Sequence, residues 1–222
     1  MITTDIVSKY PKLYHMADND SWLNIKKHGL LSTSALLDKW EYTGLEREMI
    51  ECKHRPETVP IYHRVYGKAV IRDQKAIRPE RLKKCLPKDI MVEDWCRFIS
   101  NKVFFWASWT GLKMFIAANE YIHKPHLVVT VDTKQLLQGY INKITLSNIN
   151  SGSTFAKKDK VDPEPRSYST FKKIPEYNVP WINELAVDYG IPDILNFVVS
   201  VDRYRANRKG GEPQKLEGIW RH

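Results

Sequence analysis

The stretch Trp181-Ile-Asn-Glu-Leu-Ala-Val187 places a single carboxylate inside an otherwise apolar run of strand length. At a side-chain period of two, Ile182, Glu184 and Ala186 share one face, and an ionised carboxylate between two apolar neighbours is costly to desolvate. Glu184 therefore either lies at an edge facing water or has a chemical task. Working outward, Ile194-Leu-Asn-Phe-Val-Val-Ser-Val201 reads as the next strand. On the N-terminal side, Asn148 to Asn178 is rich in Ser, Lys and Pro and too long for an ordinary connection, so it reads as a functional or disordered loop.

The rest of the chain alternates short strands with helices. Lys12-Leu-Tyr-His-Met-Ala17 follows Pro11 and has strand composition. A helix with Trp22 and Ile25 on its apolar side follows, with Lys26, Lys27 and His28 near its C-terminal dipole and Gly29 at the left-handed C′ position. Ala35 to Glu51 allows another helix, and Pro56 and Pro60 suggest irregular chain with few strands. Lys102-Val-Phe-Phe-Trp106 reads as a buried strand. Ser108 or Thr110 then caps a helix carrying Leu112, Phe115, Ile116 and Ile122, and His126-Leu-Val-Val-Thr-Val131 is the clearest strand. The pattern predicts an α+β fold, taken as one domain over residues 1–222 with a basic tail at 203–222.

At 222 residues a single core needs no disulfide or metal, and no window approaches the eighteen apolar residues of a membrane span. The N-terminus lacks the pattern of a secretory signal, so a cytoplasmic protein is expected. Cys52, Cys85 and Cys96 form no metal-ligand spacing and read as reduced thiols, and no metal is expected. The net charge of +9 is uneven: residues 64–88 carry +7 and residues 203–222 carry +4. Such surpluses suit a phosphate polymer or a solvated face. Nucleophile elbows, zinc-protease motifs, phosphate loops and dinucleotide fingerprints are all missing.

Four segments in order carry a family likeness: Leu-Tyr-His-Met (13–16), Trp-Leu-Asn-Ile-Lys-Lys-His-Gly-Leu-Leu (22–31), Val-Phe-Phe-Trp (103–106) running into a helix, and Asn-Glu-Leu-Ala-Val-Asp-Tyr-Gly-Ile-Pro-Asp-Ile (183–194). Together they resemble the DarT group of ADP-ribosyltransferases. The chain is also similar to an uncharacterised bacterial family marked by Ile-Arg-Asp-Gln (71–74), Val-Phe-Phe-Trp (103–106) and Asn-Ser-Gly-Ser-Thr (150–154). The resemblance implies two facing, mainly antiparallel sheets around an NAD+ cleft.

It further implies Glu184 as the catalytic carboxylate, with Arg72, preferred to Arg47 or Arg64, assisting the target base. His15 would contact the ribose and the Met16 backbone the nicotinamide amide. Phe105 would stack on the nicotinamide in place of the family's tyrosine, with Trp106 beside it, and Ser32 and Thr33 are further NAD+ contacts. His15 also reads as a plain core histidine, Phe105 and Trp106 as core-packing rings, Arg72 as half of a structural ion pair, and the long loop as a solvated one. In the long loop, Arg166, Tyr168 and Phe171 would meet a base, with Lys157, Lys158, Lys172 and Lys173 on phosphates. The expected activity is transfer of ADP-ribose from NAD+ to a base of DNA or RNA, as a toxin with a partner antitoxin or in anti-phage defence. Protein modification, NAD+ hydrolysis and a non-catalytic nucleic-acid-binding module are the alternatives.

Overall fold

The computed structural model describes residues 3–155 and 162–221. Its helices and strands run α1 (Thr3–Lys9), β1 (Lys12–Ala17), α2 (Trp22–His28), β2 (Leu30–Leu31), α3 (Thr33–Lys39), α4 (Gly44–Glu51), β3 (Val59–His63), β4 (Gly67–Ile71), α5 (Pro79–Cys85) and α6 (Val92–Ser100). They continue β5 (Lys102–Trp106), α7 (Trp109–Ile116), β6 (His126–Asp132), α8 (Thr133–Tyr140), β7 (Ile144–Ser147), β8 (Lys172–Lys173), β9 (Glu184–Asp188), β10 (Gly190–Ile191), β11 (Val198–Arg205) and β12 (Gln214–Arg221).

The fold is α+β. In place of two facing sheets, one antiparallel sheet of eight strands runs in the order β12-β11-β6-β1-β5-β9-β7-β8, with two small ribbons, β10-β2 and β3-β4. The large sheet is nevertheless divided. Strands β1 and β6 pair over six residues, and β5 and β9 over five, but β1 and β5 meet only at Tyr14 opposite Trp106. Two four-stranded halves are therefore joined in the strand ladder by one residue pair.

Strand alternation then sorts the side chains. Leu13, Val103, Phe105, Leu127, Val129, Val131, Leu146, Leu185 and Val187 all enter one continuous core on one face of the sheet, which Ile6, Leu136 and Leu137 of α1 and α8 join. The opposite face carries two separate clusters. Met16 and Val128 pack there with Leu112 and Ile116 of α7, while Ala186 and Phe104 pack with Leu82, Trp95 and Cys96 of α5 and α6. Between these clusters, above the seam of the sheet, the apolar cover is interrupted.

Several local expectations change. Residues 35–51 form two helices: Trp40 closes α3, and Glu41 has φ +60. The proline-containing stretch near residue 60 is a β-hairpin, β3-β4. Strand β9 begins at Glu184, so Ile182 does not share its face: Ile182 joins the main core while Ala186 faces the other way. Residues 194–196 are a 3₁₀ turn before β11. The supposed basic tail is the edge hairpin β11-β12. Within it Arg203 pairs with Glu217 at 2.8 Å and Lys215 with Asp202 at 2.6 Å, while Arg221 also contacts Asp202, so much of its charge is internally compensated.

Candidate functional site

The register of the sheet sets one row of residues across the seam: Tyr14 faces Trp106, Trp106 faces Glu184, and Glu184 faces Ser147. Above this row lies a cavity of about 260 Å³, near the lower bound of small-molecule sites. His15, Met16, Ser32, Thr33, Arg72, Phe104, Trp106, Ser151 and Glu184 all line it. Residues proposed from distant parts of the chain thus converge.

Glu184 is 5 % exposed. Its Oε2 accepts two hydrogen bonds from Ser151, one from the backbone N–H at 3.1 Å and one from the hydroxyl at 2.7 Å. Burial pushes its carboxyl up to about 7, against the lowering influence of those bonds and of the Arg166 charge. A carboxyl poised there exchanges protons near neutral pH, as a general base requires.

His15 Nδ1 lies 2.8 Å from the carbonyl oxygen of Phe104, across the seam. A carbonyl only accepts, so Nδ1 carries the hydrogen and the other ring nitrogen, Nε2, is left as an acceptor. Burial, with a smaller contribution from Arg72, brings the imidazole down to about 4, against the raising effect of the Phe104 carbonyl, so the ring is neutral at physiological pH. Arg72 donates to the Met16 carbonyl at 3.2 Å and its guanidinium lies 5.2 Å from the Tyr121 ring centroid. The Tyr121 hydroxyl in turn donates to Asp73 at 2.7 Å. Arg72 is thereby held by a carbonyl and an aromatic face. Of the Met16 backbone expected to hold a nicotinamide amide, the carbonyl already accepts from Arg72.

Ser32 caps α3, accepting from the Ala35 N–H at 3.1 Å, which commits its hydroxyl to the helix; Thr33 begins that helix. Phe105 does not line the cavity. It is fully buried in the main core, because the β5 alternation turns Phe104 and Trp106 to the cleft and Phe105 away from it. The aromatic surface of the site is therefore Phe104 and Trp106, with Trp106 resting on Phe115 at a centroid distance of 5.3 Å.

The long loop also differs from expectation. Phe171 is buried among Trp95, Phe98 and Phe104, so its ring is core. Tyr168 is 47 % exposed, with its ring edge on Phe98 and away from the cleft. Arg166 is 4 % exposed and donates to the Ser151 carbonyl at 2.9 Å, directly behind the residue that holds Glu184. Lys157 and Lys158 lie outside the described residues.

Two cleft residues had no individual signal in the sequence. Ser151 lies in the Asn-Ser-Gly-Ser-Thr motif, whose presence was legible but whose bond to Glu184 depends on long-range folding. Arg55, 6 % exposed, donates to the carbonyl of Arg72 at 3.1 Å and contacts those of Ile50 and the Ser100 hydroxyl; burial lowers it to about 10. It braces the strand end that presents Arg72. The three cysteines are buried thiols, and Cys96 is pushed up to about 11 by its surroundings. Among the described residues there is no group of three or more metal-ligating side chains, and no helix is long and apolar enough to cross a membrane.

No curated protein and no solved structure matches the chain. A model of DUF7002, a family of unknown function, matches residues 11–198, and the chain belongs to that family.

Proposed function

We propose that the chain is an NAD+-dependent ADP-ribosyltransferase that joins ADP-ribose to a base of DNA or RNA, acting in the cytoplasm as the toxin of a toxin–antitoxin or anti-phage system. One observation carries this reading: Glu184, His15, Arg72 and Trp106, from four distant segments, meet in a single cleft over the seam of a split sheet. An ADP-ribosyltransferase-like fold accounts for that split and for a buried acid at a strand start. The donor set suits the substrate. A neutral imidazole accepts from a ribose hydroxyl, two aromatic faces suit a planar ring, and the carboxylate faces the carbon that gains positive charge.

In the proposed reaction the bond between the ribose carbon and the nicotinamide nitrogen breaks, and its electron pair leaves with neutral nicotinamide. A nucleophilic atom of the acceptor base bonds to the same carbon and loses its proton to Glu184. The electrostatic contribution of Glu184 is largest as the carbon becomes cationic, so its effect falls on the transition state.

Incubation with NAD+ labelled in the adenylate moiety and with separate DNA, RNA and protein pools tests this. Label on nucleic acid, lost with Glu184→Gln, is expected. Label only on protein, or release of free ADP-ribose alone, overturns the nucleic-acid assignment, and label unchanged by Glu184→Gln overturns the catalytic one.

A further inference from the structure

Behind the Glu184 cleft lies a second cavity of about 480 Å³, between the end of α5 and the chain from Arg166 to Lys172. Among the described residues its lining contains three cationic side chains, Lys84, Arg166 and Lys172, and no carboxylate. Hydroxyls of Ser167, Ser169 and Thr170 complete the polar wall. The wall is a built structure: Arg166 donates its backbone N–H to the Cys85 carbonyl at 2.8 Å, and the Ser167 N–H donates to Thr170 Oγ1 at 2.9 Å.

Arg166 is the unusual member. Its guanidinium is almost fully buried and donates to the carbonyls of Ser151 and Glu164, while the carboxylates of Glu184 and Glu164 act on it through their charge and not through a hydrogen bond. A buried cation is ordinarily paired, because removing it from water without an anion is expensive. Among the described residues Lys84 and Lys172 add two more positive charges with no acid in contact. Glu184 and Glu164 offset part of the Arg166 charge, so the surplus at the concavity comes chiefly from Lys84 and Lys172, and an anion entering it relieves their repulsion.

We infer that this cavity is a phosphate site, in which Lys84, Lys172 and Arg166 hold a phosphate group of the acceptor strand. The site itself is independent of the transferase reading; its assignment to an acceptor strand rests on it. The placement is economical, because Arg166 also holds Ser151, and Ser151 holds Glu184. A strand gripped here is one residue removed from the carboxylate. Lysines offer point charges and hydroxyls offer neutral donors, a combination that reads backbone and not sequence.

The test is equilibrium binding of a fluorescein-labelled single-stranded 20-mer, as DNA and as RNA, together with calorimetric titration of adenosine monophosphate. The variant Lys84→Ala/Lys172→Ala is compared with Lys83→Ala/Lys88→Ala, which removes the same charge from the same region outside the cavity. Loss of about tenfold or more in oligonucleotide affinity in the first pair, with a shallower salt dependence and a much smaller loss in the second, is expected. Loss confined to adenosine monophosphate keeps the phosphate site and overturns the strand as its source. Equal losses in both pairs, or none for either probe, overturn the site. No step of this measurement depends on catalysis, so an inactive wild type that still shows the difference separates this inference from the transferase reading.

Discussion

Ser151 directs two donors at one oxygen of Glu184, its N–H from 3.1 Å and its hydroxyl from 2.7 Å. Burial raises the carboxyl and these bonds lower it, so the value of about 7 is a balance between them. Ser151→Ala removes the hydroxyl bond and keeps the backbone one. Glu184 should then ionise at still higher pH. In the transfer assay the acid limb of the pH–rate profile should move upward, with about tenfold loss at pH 7 that recovers near pH 9. A loss that is the same at every pH would make Ser151 a purely structural residue.

The same carboxyl links stability to pH. Its folded value of about 7 lies above the ordinary 4.5, so the folded state holds the proton more tightly than the unfolded chain. That contribution is full below about pH 4.5 and is lost as pH rises through about 7, which costs the wild type up to about 3 kcal/mol at pH 8. Glu184→Gln removes the cost. Its Tm should exceed that of the wild type by several degrees at pH 8, with the gap closing at pH 4. Equal melting at pH 8 would show that Glu184 is hydrated when ionised.

His15 and His126 work in the opposite direction. Each is brought down to about 4, chiefly by burial, and His126 donates from Nε2 to the Tyr121 carbonyl at 2.9 Å. Both rings are neutral when folded and charge in the unfolded chain below about 6.5. Their stabilisation is complete above that pH and is lost as pH falls through about 4, by up to about 3 kcal/mol for each ring. Denaturant unfolding at pH 7.5 and 4.5 should show a smaller acid loss in His126→Gln than in the wild type. An undiminished loss would assign the acid sensitivity elsewhere.

Local patterns in the sequence carried much of the fold. β1, β5 and β6 stand where short aromatic and apolar runs set them, and Ser108 caps α7 through the Gly111 N–H at 3.1 Å. What depends on partners was hidden. Alternation along Phe104-Phe105-Trp106 separates two faces but cannot say which one the cleft occupies, so stacking and core packing are equally compatible with Phe105 until the fold shows it to be the buried ring. The chain bends at Asn183, just before β9, so Ile182 and Glu184 separate although their spacing suggests one face. The β3-β4 hairpin has no clear signal in the sequence because Pro60 and outward polar residues mask a two-stranded ribbon. For the site, His15, Arg72, Trp106 and Glu184 were legible through ordered motifs. Ser151, Arg55 and the cavity of Lys84 arise from contacts between segments far apart in the chain.

Gly29 joins α2 to the ribbon that closes the cleft. Its φ of +89 is a left-handed conformation that L side chains rarely adopt, and its N–H closes α2 on the Ile25 carbonyl at 2.9 Å. A methyl group there would stand 2.4 Å from the Pro192 Cα and 2.8 Å from the Ile191 carbonyl oxygen. Both are backbone atoms held by the pairing of Ile191 with Leu30, so neither retreats without breaking β2-β10. Strain and collision act together, and Gly29→Ala should cost about 2 kcal/mol or more. Because Leu30, Leu31, Ser32 and Thr33 follow at the cleft wall, the variant should also weaken NAD+ binding when assayed well below its own Tm. Unfolding by urea and NAD+ calorimetry on the same preparation check both effects, and unchanged stability would mean that the ribbon is free to move.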